Sequence, residues 1–162
     1  MRVIEISPAG AGPEAFSPGS SAGDPSAADH GSRLGPARVV ACPGVPAIGP
    51  DEALWAAGAE RVLFRVLAED GGSSARGTLS PEGARTLVRL GVRLFGTDAP
   101  PPDPWDGRAL EAHRLLDQGG VAFLERLTLA GIPSGEYDLI ALPLQGWGAD
   151  TGPTRLALCA EP

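Results

Sequence analysis

From residue 37 onward, apolar runs of strand length alternate with polar-and-apolar stretches of helical length. Residues 37–42 (ARVVAC) form a short continuous apolar run stopped by Pro43-Gly44, the pattern of a buried strand. Pro50-Asp51 opens a short helix over 51–58, with Asp51 and Glu52 placed favourably against its N-terminal dipole. The clearest strand is RVLFRVLA, 61–68, rich in β-branched and aromatic residues. Ser80-Pro81-Glu82 combines an N-cap, a proline at the first helical position and an acid in the first turn, and predicts a helix closed by Gly91. A strand over 92–98, a proline-rich loop, a helix over 108–119 and a short strand over 121–125 follow. A turn-forming link over 127–133 then leads to strands at 137–144 and 154–159. Residues 2–6 add one short strand. Strands alternating with helices favour an α/β domain with a mixed sheet and flanking helices.

The first 36 residues break this rhythm. Between Ser7 and Pro36 the chain is mostly Pro, Gly, Ser, Ala and Asp, with Phe16 and Leu34 as its large apolar residues. Such a stretch buries too little to offset its ordering entropy and reads as loop. The expected division is an irregular segment, 1–36, and an α/β domain, 37–162. The full chain of 162 residues is long enough for one real core. Its 23 glycines and 17 prolines predict short elements.

Charge narrows the partners. A formal net charge of −7 argues against nucleic acid or an anionic membrane surface, both of which need a basic face. No apolar run approaches the ~20 residues of a transmembrane helix. The opening MRVIEISPAG lacks the basic and apolar regions of a signal peptide, so the expected location is cytoplasmic. Cys42 and Cys159 are far apart and outside any metal spacing, and read as buried free thiols.

Two residues carry candidate chemistry. His113 sits on the 108–119 helix with Leu110, Leu116 and Asp117, and Glu125 ends the strand that returns after it. A helix followed by a returning strand can bring both onto one pocket wall, and an imidazole with a carboxylate suits zinc or manganese. By spacing alone, a helical histidine is more often a surface or hydrogen-bonded residue, and a strand-end glutamate more often solvated. The serines at 17, 20, 21 and 26 form no GxSxG elbow, and the glycine-rich stretches lack the lysine and helix of a phosphate loop. Asp98 follows a strand at its carboxyl end, a place where α/β proteins put functional groups.

Several motifs in order carry a resemblance. They are Gly96-Thr97-Asp98-Ala99-Pro100, Ala112-His113, Phe123-Leu124-Glu125, the run from Gly135 to Leu144, and Gly148-Ala149-Asp150 with Pro153, Arg155 and Leu158. Together they span most of 80–158 and are similar to the C-terminal half of the kynurenine formamidase/cyclase family of metal-dependent amide hydrolases. The resemblance implies a swivelling β/β/α-type α/β domain, a homodimer, and a small-molecule amide substrate such as N-formylkynurenine, cleaved to kynurenine and formate. It makes His113 and Glu125 metal ligands for zinc or manganese, and it sets Trp147 beside the GAD motif, where it could stack on an aromatic substrate.

The family's remaining ligands come from an upstream signature resembling HxGTHxDxPxH. Aligned on Gly19 and Pro25, that signature meets Ser17 and Ser21 at the metal histidines, Gly23 at the aspartate and Ala27 at the last histidine. The segment before it is shorter than the family's. The expectation is weak metal binding and low or absent hydrolysis, with catalytic residues unassigned. Asp24, Asp29 and His30 are nearby alternatives as donors, read as solvated loop residues. The rival readings are a non-catalytic binding or assembly homologue and a frame-disrupted copy of an active hydrolase.

Overall fold

The computed structural model describes residues 2–7, 16–17, 33–67, 77–100, 107–143 and 154–160. In chain order the elements are β1 (Arg2–Glu5), β2 (Phe16–Ser17), β3 (Leu34–Ala41), β4 (Ala47–Ile48), α1 (Pro50–Ala53) with a 3-10 turn (Leu54–Ala56), and β5 (Arg61–Arg65). After them come β6 (Thr78–Leu79), α2 (Pro81–Arg89), β7 (Leu94–Thr97), α3 (Gly107–Gln118), β8 (Ala122–Leu124), β9 (Gly135–Pro143) and β10 (Thr154–Ala160). No helix among the described residues is long and apolar enough to cross a membrane.

Among the described residues, eight strands form one mixed sheet in the order β1-β10-β9-β3-β5-β7-β8-β2. Its centre, β3-β5-β7-β8, is parallel, and each step crosses over through a helix. The flanking strands β9, β10, β1 and β2 pair antiparallel. The two-residue strands β4 and β6 pair with each other. This is the expected α/β architecture.

Alternation along β5 shows how the core divides. Val62 and Phe64 face the helices with Phe95, Ala84, Leu87, Ala112 and Leu116. Leu63 faces the opposite side with Val39, Leu94, Leu124, Leu139 and Leu156, and the link residues Leu127, Leu129 and Ile132 pack there too. Strands buried on both faces lose the polar half of the period-2 pattern, which is why 61–65 reads as a continuous apolar run.

Local chemistry fixes the helices. Ser80 Oγ accepts the Gly83 N–H at 3.0 Å, Pro81 fills the first position, and Gly91, with φ +77°, takes the left-handed conformation past the end of α2. At α1 the Glu52 carboxylate accepts the Gly49 N–H at 2.9 Å. A Cβ on Gly83 would stand 2.4 Å from the Ile48 carbonyl oxygen, so α2 approaches the β4 backbone as only glycine permits.

Several boundaries differ from the sequence expectation, three of them near the site or its supporting strands. β3 begins at Leu34 rather than Ala37, because β9 pairs with it from Leu34↔Ile140 onward. β5 ends at Arg65, and Val66 and Leu67 leave the ladder. β8 ends at Leu124, so Glu125 lies just past the strand.

Candidate functional site

The carboxyl ends of the four parallel strands open on one edge of the sheet, the edge at which α/β proteins gather functional groups. Cys42 follows β3, Val66 follows β5, Asp98 follows β7 and Glu125 follows β8. Alternation along β8 puts Ala122 and Leu124 into the core opposite the helices, while Phe123 packs on the helix side. Glu125 continues that alternation toward α3. Ala112 and Leu116 of α3 anchor it to the helix-side core, and His113 lies beside them.

The two elements bring together the pair singled out in the sequence. His113 Nε2 stands 3.0 Å from Glu125 Oε1, with both side chains mostly buried. The imidazole also stacks on Phe123, with ring centroids 4.6 Å apart and planes 19° from parallel. Phe123 belongs to the Phe123-Leu124-Glu125 motif, but the sequence assigns it no role of its own. Its signal was the period-2 spacing Phe123-x-Glu125, which places an aromatic on the face the histidine must share.

Backbone bonds bracket Glu125. The Arg126 N–H donates to the Ala99 carbonyl at 3.0 Å and the Leu127 N–H to the Thr97 carbonyl at 3.0 Å. Arg126 has φ +59°, the non-glycine left-handed residue among those described, and it turns the chain sharply after Glu125. Asp98 is 6% exposed. Its Oδ1 accepts the Val66 N–H at 2.8 Å and the Leu67 N–H at 3.3 Å. Burial pushes the Asp98 carboxyl above the usual carboxylate range, while those N–H donors and the Arg65 charge act the other way. Burial, reinforced by the negative charges of Glu52 and Asp98, pushes the Cys42 thiol up to about 11, leaving it an inert thiol at neutral pH. Both cysteines are free, Cys42 buried and Cys159 half-buried.

An imidazole and a carboxylate are sound ligands for zinc or manganese, but a hydrolytic cation needs about three or four protein donors. Among the described residues no group of three or more His, Cys, Asp or Glu side chains is placed to hold a metal ion. The described donors alone therefore do not fit a resident catalytic ion. The backbone of Ser17 in β2 pairs with Phe123 of β8. Ser21, Gly23, Asp24, Ala27, Asp29, His30 and Trp147 lie outside the described residues.

The fold matches a solved structure described as a predicted metal-dependent hydrolase from Bacillus stearothermophilus. The TM-score is 0.70 at 23% identity, over 88% of this chain and 74% of that one. The architecture is thus that of the cyclase-type metal-dependent hydrolases. No family model matches the chain. The kynurenine formamidase of Salinibacter ruber (strain DSM 13855 / M31) is 41% identical over 138 residues, 81% of this chain and 65% of that protein. The kynurenine formamidase of Maricaulis maris (strain MCS10) is 37% identical over 131 residues, 77% of this chain and 63% of that protein. The chain belongs to the kynurenine formamidase/cyclase family. It spans slightly less than two thirds of either relative's own length.

Proposed function

We propose that this chain is a kynurenine formamidase-family protein that keeps the scaffold and half of the metal site, and that it hydrolyses aryl formamides weakly or not at all. The observation that carries this reading is the His113–Glu125 pair, 3.0 Å apart at the carboxyl edge of the parallel strands. The pair is the motif-matched half of the family's ligand set. Ser17, the first aligned ligand position, pairs through its backbone with Phe123, two residues before Glu125. In that alignment the ligand positions hold Ser17, Ser21 and Gly23. Neutral serine hydroxyls are poor ligands for zinc or manganese and glycine offers only its carbonyl, so the shell stays short of the count that lowers the pKa of a bound water.

Metal analysis of the purified chain is the test. Less than one tightly bound zinc or manganese per chain is expected, with negligible hydrolysis of an aryl formamide when either metal is added. The triple variant Ser17→His, Ser21→His, Gly23→Asp should gain near-stoichiometric zinc and lose it again on His113→Ala. Stoichiometric metal in the unaltered chain, lost in His113→Ala, would overturn the proposal.

One observation favours an active hydrolase instead, namely 41% identity to a protein named kynurenine formamidase. On that reading Asp24, Asp29 or His30 supplies the absent donors, and replacing all three with alanine would remove both metal and activity.

A further inference from the structure

We propose that Asp98 is a positioning residue for Glu125, holding the site's carboxylate in place through the segment Thr97–Ala99. The inference rests on His113 and Glu125 being the functional pair, and it assigns Asp98 a task beyond that of a generic structural acid.

The parallel ladder ends before the site begins. Between β5 and β7 the last paired residues are Phe64 and Thr97, and between β7 and β8 they are Gly96 and Leu124. Beyond those points strands would fray, because nothing in the ladder holds them. Here the segment after β7 is tied on both sides. On the β5 side the Asp98 N–H donates to the Phe64 carbonyl at 3.3 Å, and the Asp98 carboxylate accepts the Val66 and Leu67 N–H groups, so a side chain extends the sheet past its last backbone pair. On the β8 side the Thr97 and Ala99 carbonyls accept the Leu127 and Arg126 N–H groups, the two that follow Glu125. Thr97 Oγ1 stiffens the segment further by accepting the Ala99 N–H at 3.1 Å.

Glu125 is therefore fixed by its neighbours, and their acceptors are fixed by Asp98. A buried carboxylate is costly unless its lone pairs are met, so a single unmet N–H would be a poor reason to keep one here. Two successive backbone donors form charge-assisted bonds that a serine or asparagine could not both supply with the same strength. Burial raises the Asp98 carboxyl and those same donors oppose the rise, so the backbone bonds offset part of the cost of burying it.

Amide hydrogen exchange on the full chain, with neither metal nor substrate added, tests the clamp. In Asp98→Asn the Arg126 and Leu127 amides should exchange at least tenfold faster, along with Val66 and Leu67. The β10 amides of Leu156 and Leu158 should stay within twofold of the unaltered chain. A uniform loss of protection across the sheet, or unchanged exchange at Arg126 and Leu127, overturns the proposal. Should Asp98→Asn fail to fold, the unaltered chain still decides. In mild denaturant the Val66, Leu67, Arg126 and Leu127 amides are expected to open as one unit with a common denaturant dependence, and independent opening of the two pairs sinks the idea. Because the readout involves no ion, its failure is distinct from failure of the metal-site reading.

Discussion

The parallel centre of the sheet and its antiparallel flank answer the demand for burial differently. All four residues of β7 are buried, as are the first four of β5, because helices pack on one face and the link residues Leu127, Leu129 and Ile132 join the core on the other. In β10 Leu156 and Leu158 are buried while Arg155 faces water, and in β9 Glu136 and Asp138 are exposed beside buried Leu139. The open face carries Leu34 at 48% and Val3 at 58% exposure, with the surface pairs Arg38–Glu136 and Arg155–Glu5. Such exposed pairs contribute little. Chemistry gathers on the covered half, since there the strands all end at one edge with helices able to bring a histidine against them. Of the antiparallel strands, β9, β10 and β1 carry the polar alternation and contribute no described member of the site, while β2, on the other edge, brings Ser17 beside Phe123.

Substitutions at matched positions sharpen this contrast. Phe64 is fully buried against Phe95, with centroids 5.9 Å apart. Phe64→Ala should cost about 3–5 kcal/mol of unfolding free energy. Leu34→Ala on the open face should cost under about 0.5 kcal/mol. Urea denaturation of both decides, and comparable losses would mean the open face is covered in solution. A smaller contrast concerns glycines. Gly83→Ala drives a methyl toward the Ile48 carbonyl and should cost about 1–3 kcal/mol. Gly135→Ala in β9 meets only the Tyr137 ring at 3.6 Å and should stay within about 0.5 kcal/mol of the parent. Equal tolerance at the two sites would show that α2 is free to retreat from β4.

The same contrast explains what the sequence disclosed. Ser80-Pro81-Glu82 announced α2 because its cap is local chemistry, and β5 was visible because burial on both faces leaves an unbroken apolar run. His113 and Glu125 were legible as a pair through motif spacing, and the geometry joins them. Leu34-Gly35-Pro36 read as loop, since glycine and proline are poor strand formers. Their strand state comes from β9, a partner about a hundred residues away. Asp98 was visible as an acid after a strand, but its partners Val66 and Leu67 become neighbours only through the parallel crossover. Long-range pairing decided each of these cases, and local pattern carries no record of it.

The smallest effect lies at the seam between strain and site. Arg126 holds φ +59°, a conformation that costs an L-residue roughly 1–2 kcal/mol and glycine nothing. Glycine would in turn lose about 0.4–1 kcal/mol through its freer unfolded chain. The Arg126 side chain is exposed, so its removal forfeits little packing. Arg126→Gly should therefore gain about 0.5–1 kcal/mol in urea denaturation, with the Arg126-to-Ala99 backbone bond retained and its amide no less protected. A loss of stability would mean that the arginine side chain contributes more than its backbone costs. The turn after Glu125 would then be held from the surface rather than by the parallel strands beneath it.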